Sequence, residues 1–196
     1  MSILHPVPPF ILASQSPRRR ELLRNAGFNF DSISVDVDET IDPALPPLEL
    51  VDSLALKKLN ACTDYLNKCI VITADTLVFK RNQVLGKPTD RDEAIKMLQT
   101  LSNTSHVVTT SVCLGYQAQV YQFNVSTKVY FAALIDEVIE YYVDHYQPMD
   151  KAGAYGIQEW IGEIGISRIE GSYTNVVGLP LNETYQAIVE KSALWL

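Results

Sequence analysis

Three consecutive arginines near the start of the chain suggest a phosphate-binding site. The arginines are Arg18, Arg19 and Arg20. They follow the apolar stretch Phe10–Ala13 and the pair Ser16-Pro17, which is typical of a helix start. The first turn of a helix already carries partial positive charge and exposed N–H groups. Added arginines are therefore unfavourable there unless an anion binds, which favours Ser14, Arg18 and Arg19 as phosphate ligands. Solvated arginines are the alternative.

Two acidic positions are candidates for metal binding or proton transfer. Asp75 directly follows Cys69–Ala74, an apolar run typical of a central strand covered on both faces. In α/β sheets, ligands lie beyond the C-terminal ends of strands, and a carboxylate there can hold a metal or act as a base. A residue capping a turn is the alternative. Glu39, beside Asp38 in the acidic loop Asp36–Pro47, is either a metal ligand or simply solvated.

Two lysines have unusual surroundings. Lys58 lies on the apolar stripe of a predicted helix, together with Val51, Leu54 and Ala55. A lysine on such a face either finds a buried partner or extends its ammonium to the surface. Lys87 stands between Gly86 and Pro88, and this tripeptide would hold a phosphate-binding ammonium rigidly.

The segment Asp150–Gln158 combines small residues with groups that suit a ligand passing close to the backbone. Gln158 could read the edge of a base, and Tyr155 could stack on a ligand or pack in the core. The histidines His5, His106 and His145 fall in different elements, and their spacing indicates no metal triad.

Elements of both periodicities alternate, which predicts a single α/β domain over residues 1–196. Predicted strands are Phe10–Ala13, Phe30–Val35, Cys69–Ala74, a hairpin over Thr76–Leu85 turning near Arg81-Asn82, His106–Tyr116 and Val120–Tyr130. The first predicted helix starts at Ser16 and runs to about Ala26. Further helices are predicted over Leu48–Tyr65, Asp90 to Leu101, Asp136–Tyr146 and Glu183–Trp195, the last with Asn182 as its N-cap. Short strand patterns and glycines mark Lys151–Gly178.

Composition excludes several classes of protein. The 196 residues are 47% hydrophobic and 20% charged, as in an ordinary soluble globule. A net charge of −7 argues against a nucleic-acid surface. No run predicts a membrane span, and the prolines near the N-terminus argue against a signal peptide. Three cysteines without a CxxC pair predict buried thiols in a reducing cytoplasm.

In chain order, these segments resemble the Maf-like nucleotide pyrophosphatases over nearly the whole chain, from Ile11 to Leu181. The segments that carry the resemblance are Ala13–Arg19, Asp38-Glu39, Leu54-Ala55 with Lys58, Ala74–Thr76, Gly86–Pro88, Asp150–Gln158, Gly171–Tyr173 and Asn175–Leu181. The Gly-Ala-Tyr-Gly-Ile-Gln form is similar to the branch acting on dTTP and UTP rather than on 7-methyl-GTP.

The resemblance implies an elongated mixed sheet with flanking helices, two lobes around a central cleft as in Maf and inosine triphosphatase proteins, and a homodimer. It also implies hydrolysis of dTTP and UTP to the monophosphate and pyrophosphate, with Asp75 as proton acceptor. Ser14, Arg18, Glu39, Lys58 and Lys87 complete the phosphate and metal site. Arg18, Thr76 and Gln158 match positions linked to substrate choice.

Charge logic supports the same chemistry. A triphosphate needs neutralisation more than covalent catalysis, and Mg²⁺ or Mn²⁺ held by Glu39 and Asp75 would supply part of it. A regulatory nucleotide-binding module without turnover is the alternative, but binding an anion does not call for two added carboxylates.

Two departures from the family pattern stand out. Glu159-Trp160 occupies a place where the branch usually has glycine, and Leu59 replaces a usual small residue.

Overall fold

The computed structural model describes residues 7–40, 45–81 and 83–195. The chain forms two compact units. Unit 1 comprises Met1–Asp75, Thr110–Val125 and Gly178–Leu196, and unit 2 comprises Thr76–Thr109 and Ser126–Val177.

Strands and α-helices alternate along the chain. The strands are β1 (Phe10–Ala13), β2 (Phe30–Ile33), β3 (Ile70–Lys80), β4 (Gln83–Leu85), β5 (Ser105–Tyr116), β6 (Gln119–Phe131) and β7 (Ile166–Glu170). The α-helices are α1 (Pro17–Asn25), α2 (Pro47–Asn60), α3 (Thr63–Leu66), α4 (Arg91–Leu101), α5 (Asp136–Tyr146), α6 (Trp160–Gly165), α7 (Tyr173–Val177) and α8 (Leu181–Trp195). Short 3-10 turns cover Pro148–Asp150 and Ala152–Ala154.

The strands form one seven-stranded mixed sheet, which confirms the predicted α/β class. Its order is β2-β1-β3-β5-β6-β7, with β4 paired to β3. β1 is parallel to both β2 and the start of β3, whereas the β3–β4 and β6–β7 pairs are antiparallel. The strands β3, β5 and β6 each contribute residues to both units.

In unit 1, apolar side chains cover both faces of the sheet. One cluster contains Leu12 and Ile72 together with Leu23 of α1 and Ile188 of α8. The cluster on the other face includes Val71 together with Ala55 and Leu59 of α2, Leu66 of α3 and Cys62 between these helices. Successive residues of β3 thus alternate between two cores, as expected of a buried strand.

Every helix in the described parts of the chain is too short or too polar to span a membrane.

Most predicted elements are confirmed at their starts, and three end at other residues than predicted. β2 ends at Ile33 rather than Val35. α2 ends at Asn60 rather than Tyr65, because Cys62 leaves helical angles (φ −103°, ψ 20°) before α3 begins. β3 runs through Asp75 to Lys80 rather than ending at Ala74. The buried Leu77, Val78 and Phe79 continue it, since apolar and β-branched residues suit a strand whether or not an acidic residue interrupts them.

The predicted hairpin forms, with Val78 opposite Leu85 in the β3–β4 register. Arg81 adopts a left-handed backbone angle (φ 48°) at its turn, and Asn82 lies outside the described residues. The predicted loop Asp36–Pro47 likewise includes 41–44, which are outside the described part.

The segment Lys151–Gly178 is more helical than its glycines suggest. Only β7 forms as a strand there, flanked by α6 and α7. Gly162 explains the difference, because a Cβ at this position would lie 1.9 Å from the carbonyl oxygen of Ile157. This glycine allows the chain to close the first turn of a helix, whereas the sequence predicts short strands in this segment. The last helix begins at Leu181, so Asn182 lies inside its first turn and is not its cap.

Unit 2 buries a histidine within an aromatic cluster. His106 is 2% exposed, and its Nε2 atom lies 2.7 Å from the Tyr155 hydroxyl. The rings of Phe131 and Tyr155 pack edge to face, with centroids 5.1 Å apart. Tyr155 is therefore a core residue, which settles the two alternatives left open by the sequence.

Acid should destabilise the protein through His106. Burial lowers the pKa of this imidazole from 6.5 to about 4, with a smaller effect from Lys80. The unfolded chain then binds a proton that the folded chain does not, so stability falls as pH drops from 6.5 towards 4. By pH 4.5 the loss from this group is about 2.5 kcal/mol. Urea unfolding at pH 7.5 and 4.5 should show a smaller pH effect in His106→Gln. An equal effect in both proteins would contradict this assignment.

Candidate active site

Ser14 is the buried residue of the turn between β1 and α1, where Gln15 is exposed and Ser16 half-buried. Ser14 is 7% exposed, and its backbone N–H donates to the Ile33 carbonyl at 3.0 Å. Its hydroxyl accepts from the Ser16 N–H at 3.2 Å, and the Ser16 hydroxyl in turn accepts from the Arg19 N–H. Ser16 is thus the N-cap of α1, as predicted, and Ser14 is held close to the positive end of that helix.

Arg19 is buried, and its guanidinium binds protein atoms. Nε donates to the Gly178 carbonyl at 2.7 Å, while Nη1 donates to the Ala74 carbonyl at 2.9 Å and reaches the Ser14 hydroxyl at 3.4 Å. Burial lowers the pKa of Arg19, and the nearby Asp75 carboxylate opposes that shift. The sequence groups Arg19 with the substrate-binding residues. These contacts join three chain segments, and the predicted substrate-binding role of Arg19 stays a prediction. Its neighbour Arg18 is half-buried.

Replacing Arg19 by lysine should destabilise unit 1 by about 2 kcal/mol or more, because a single ammonium cannot reproduce the fork of donors that reaches two carbonyls. Thermal unfolding of Arg19→Lys measures this loss. The matched control is Arg20→Lys, since Arg20 reaches the Ser14 and Gln15 carbonyls at 3.3 and 3.2 Å from a more exposed position. Equal shifts in Tm for the two variants would argue against the joining role.

Lys58 connects the two acidic candidates. Its side chain is 12% exposed, and its ammonium hydrogen-bonds the Asp75 carboxylate and lies 2.7 Å from Glu39 Oε1. Of the alternatives open from the sequence, the buried partner is the one observed. The neighbouring Lys57 is exposed, and its ammonium reaches the Asp38 carbonyl at 3.5 Å.

Asp75 lies just past the point where β1 stops pairing with β3. The last parallel pair in that register is Leu12–Ile72. Asp75 is 7% exposed, and the carbonyl of the residue before it is held by Arg19. The carboxylate is therefore fixed from both sides, by its own backbone and by the Lys58 ammonium.

The donor set in unit 1 fits a hard divalent cation bound jointly with a substrate. Glu39 and Asp75 both contact one positive group, the Lys58 ammonium, so their carboxylates converge on the same place. Carboxylate oxygens are the donors that Mg²⁺ and Mn²⁺ prefer. Among the described residues there is no group of three or more His, Cys, Asp or Glu side chains that could enclose a metal. Phosphate oxygens and water would complete the coordination.

In unit 2, two of the predicted segments meet. The Gly153 N–H donates to the Gly86 carbonyl at 3.0 Å, which joins the Gly86–Pro88 tripeptide to the segment that ends at Gln158. Gly153 has a left-handed backbone angle (φ 72°), and a Cβ there would lie 3.2 Å from Val78. Lys87 and Gln158 are exposed, and Thr76 is half-buried.

A buried polar network in unit 2 was not predicted from the sequence. The Glu159 carboxylate lies 3.1 Å from the Lys151 ammonium and accepts a hydrogen bond from the Tyr142 hydroxyl. Lys151 also binds Asp150 at 2.7 Å. The departure at Glu159 was the available signal, but its partners lie on other elements and no local periodicity links them.

Comparison with known proteins places the chain in a family. The family model described as Maf-like protein matches residues 9–191. The chain belongs to the Maf-like protein family. The dTTP/UTP pyrophosphatase of Flavobacterium psychrophilum is 49% identical to this Maf-like chain over 176 residues, covering 89% of the chain and 90% of the relative. The dTTP/UTP pyrophosphatase of Bacteroides fragilis is 45% identical over 180 residues, covering 91% and 93%.

A solved structure supports the fold of this Maf-like chain. The HAM1 protein from Coxiella burnetii has a TM-score of 0.51 and 16% identity, over 93% of this chain and 98% of that protein. At this identity the similarity concerns architecture alone. The resemblance drawn from the motifs is thereby confirmed for family and fold. The roles of the individual Maf-like site residues remain predictions.

Proposed function

We propose that this chain hydrolyses dTTP and UTP to the monophosphate and pyrophosphate. The observation that carries the proposal is the cluster of Lys58 with Asp75 and Glu39, in a chain whose relatives at 49% and 45% identity are named for that activity. A nearly buried ammonium between two carboxylates is suited to a polyanion that arrives with a cation.

The phosphate charge would be met first by residues of unit 1. A triphosphate carries about four negative charges near neutral pH, and its cleavage depends mainly on positioning and charge neutralisation. Ser14 and Arg18 stand at the N-terminal end of α1, where N–H groups and the helix dipole attract anions. Lys58 adds a positive charge that is already ordered by its two partners, so little reorganisation is needed during the reaction.

Asp75 is the proposed proton acceptor. Its carboxylate is held in place by Lys58 and is mostly shielded from solvent. It would take a proton from the water that attacks the α-phosphorus, and the bond from that phosphorus to the bridging oxygen would break, so that pyrophosphate leaves. Glu39 and Asp75 would hold Mg²⁺ or Mn²⁺, which makes the bound water more acidic and neutralises phosphate charge.

We assign to Lys87 of unit 2 a further part in neutralising the charge of the leaving pyrophosphate. We assign the choice of base to Thr76 and Gln158, together with Arg18 of unit 1. The Gln158 amide carries one acceptor and two donors, and uracil and thymine present a carbonyl–NH–carbonyl edge that such an amide can pair with. These assignments rest on the matching motif positions. We further propose a homodimer located in the cytoplasm.

The direct test is product analysis with the purified protein. With dTTP or UTP and Mn²⁺, the first products should be the nucleoside monophosphate and pyrophosphate, and ATP and GTP should be poorer substrates. Orthophosphate as the first product would overturn the proposed position of cleavage. Binding of dTTP without any product would support the regulatory module instead.

A further inference from the structure

The segment that ends in Gln158 is tied to helix α5 by a closed set of polar contacts. Glu159 accepts from Tyr142 of α5 through Oε2, and its Oε1 lies 3.1 Å from the Lys151 ammonium. The side chains of Lys151 and Glu159 are 10% and 20% exposed. Both oxygens of this carboxylate are therefore engaged by protein donors at a largely buried position.

The direction of these hydrogen bonds is determined by the tyrosine. The Gly156 N–H donates to the Tyr142 hydroxyl oxygen at 3.0 Å. The single proton of that hydroxyl then points to the Glu159 carboxyl group, whose Oε2 accepts the hydrogen bond. Burial and the neighbouring Glu159 both raise the pKa of Tyr142, which keeps this proton in place. The contacts thus link Gly156, two residues before Gln158, to Glu159, directly after it.

The Gln158 amide and the Glu159 carboxyl group both lie beside Gly156. A Cβ on Gly156 would be 2.7 Å from Glu159 Cδ and 2.9 Å from Gln158 Nε2. The two side chains therefore share the space that this glycine leaves open. The position of the Glu159 carboxyl group therefore restricts the positions open to the Gln158 amide.

The residue after Glu159 anchors the segment to α5 a second time. The Trp160 ring packs on Tyr141 and Tyr146, with centroids 5.0 and 6.5 Å away. The chain is thus attached to α5 immediately after Gln158, both by the hydrogen bond from Tyr142 to Glu159 and by the aromatic contacts of Trp160. The Gln158 side chain is exposed, in the short stretch between Gly156 and Glu159, which both contact Tyr142.

We propose that Glu159 is a positioning residue that holds the Gln158 amide in the orientation used to read the base. This inference rests on the base-reading role of Gln158 in the proposed function. An amide that can rotate freely would pair with several base edges, whereas an amide held on one side presents its acceptor and donor in a fixed order. Glu159 would therefore act on selectivity between nucleotides and leave phosphate chemistry unchanged.

Glu159→Gln separates these effects, because it keeps the size of the side chain and removes its charge. A glutamine has one acceptor oxygen, so it can serve either the Tyr142 hydroxyl or the Lys151 ammonium. Its NH₂ group then faces the other donor. One of the two contacts is lost in either orientation, and the segment is loosened beside Gln158.

The experiment compares kcat/KM for dTTP and ATP in the native protein, Glu159→Gln, Gln158→Ala and the double variant. In Glu159→Gln, we expect the dTTP-to-ATP ratio to fall about tenfold through a higher KM for dTTP, with kcat for ATP unchanged. The double variant should match Gln158→Ala alone, because Glu159 acts through Gln158. Glu137→Gln, an exposed carboxylate in the first turn of α5, is the control and should keep the native ratio.

Each other outcome has a definite meaning. A ratio within twofold of native in Glu159→Gln, alongside a clear fall in Gln158→Ala, overturns the inference and leaves base reading intact. Further loss in the double variant also overturns it, because Glu159 would then act by another route. No change in Gln158→Ala refutes base reading, and the inference with it, although pyrophosphate release would still stand. If Glu159→Gln does not fold, Tyr142→Phe removes both hydrogen bonds of the hydroxyl, to Glu159 and from the Gly156 N–H, keeps the Lys151–Glu159 ion pair and should lower the same ratio.

Discussion

Asp75→Asn should reduce kcat for dTTP by about 10³-fold or more while the fold is retained, since a positioned general base contributes roughly 10² to 10⁴ and this carboxylate is also a proposed metal ligand. The amide has nearly the same size but cannot take a proton from water. It can still accept a hydrogen bond from Lys58, so the local structure has a partner for that ammonium.

The measurement is steady-state release of pyrophosphate, with thermal unfolding to verify that the variant is folded. Asp64→Asn is the matched control, because Asp64 is an exposed carboxylate on α3 in the same unit. It should retain the native rate. Near-native turnover in Asp75→Asn would remove Asp75 from the role of proton acceptor, and the base would have to be sought elsewhere.

Local patterns predicted the elements that carry the cluster better than the contacts within it. The helical periodicity of Val51, Leu54 and Ala55 placed Lys58 on the buried face of α2, which is correct. Periodicity reports the face on which a residue lies, and it contains no information about which distant residue lies opposite. That Asp75 meets this ammonium depends on the packing of β3 against α2, where the Thr73 hydroxyl donates to the Ala55 carbonyl.

Arg19 illustrates the limit of reasoning from charge. Its position in the first turn of α1 indicates an anion ligand, and nothing local reveals that its donors reach the carbonyls of Ala74 and Gly178. Those carbonyls are 55 and 159 positions away in the sequence. Buried carbonyl groups need donors as much as phosphates do, so an arginine beside a strand end has two possible uses.

The course of β3 shows a similar limit. An acidic residue after an apolar run reads as the end of a strand, but Asp75 lies within a continuous strand and the apolar pattern resumes at Leu77. The carboxylate is accommodated because it has a cationic partner. A charge without such a partner would be costly in the same place.

The second large effect is expected for Lys58→Met, which should lower kcat for dTTP about a hundredfold or more. Methionine keeps the apolar stem but removes the charge that lies between Asp75 and Glu39. Loss of one preorganised electrostatic group typically costs this much in rate. The two carboxylates would then repel each other and the incoming triphosphate.

Lys57→Met provides the control for this change, because Lys57 is the adjacent residue on the same helix and is exposed to solvent. Its replacement alters the net charge equally, so it should slow the reaction by no more than about twofold if only the local position of the charge matters. Similar losses in both variants would show that overall charge, rather than the ammonium between the two carboxylates, sets the rate.

Titration with Mn²⁺ separates a further possibility. Full recovery of Lys58→Met at high Mn²⁺ would mean that Lys58 serves only to balance the carboxylates. A rate that stays about a hundredfold low at every Mn²⁺ concentration would support a direct part for this ammonium in stabilising the phosphate charge that develops during cleavage.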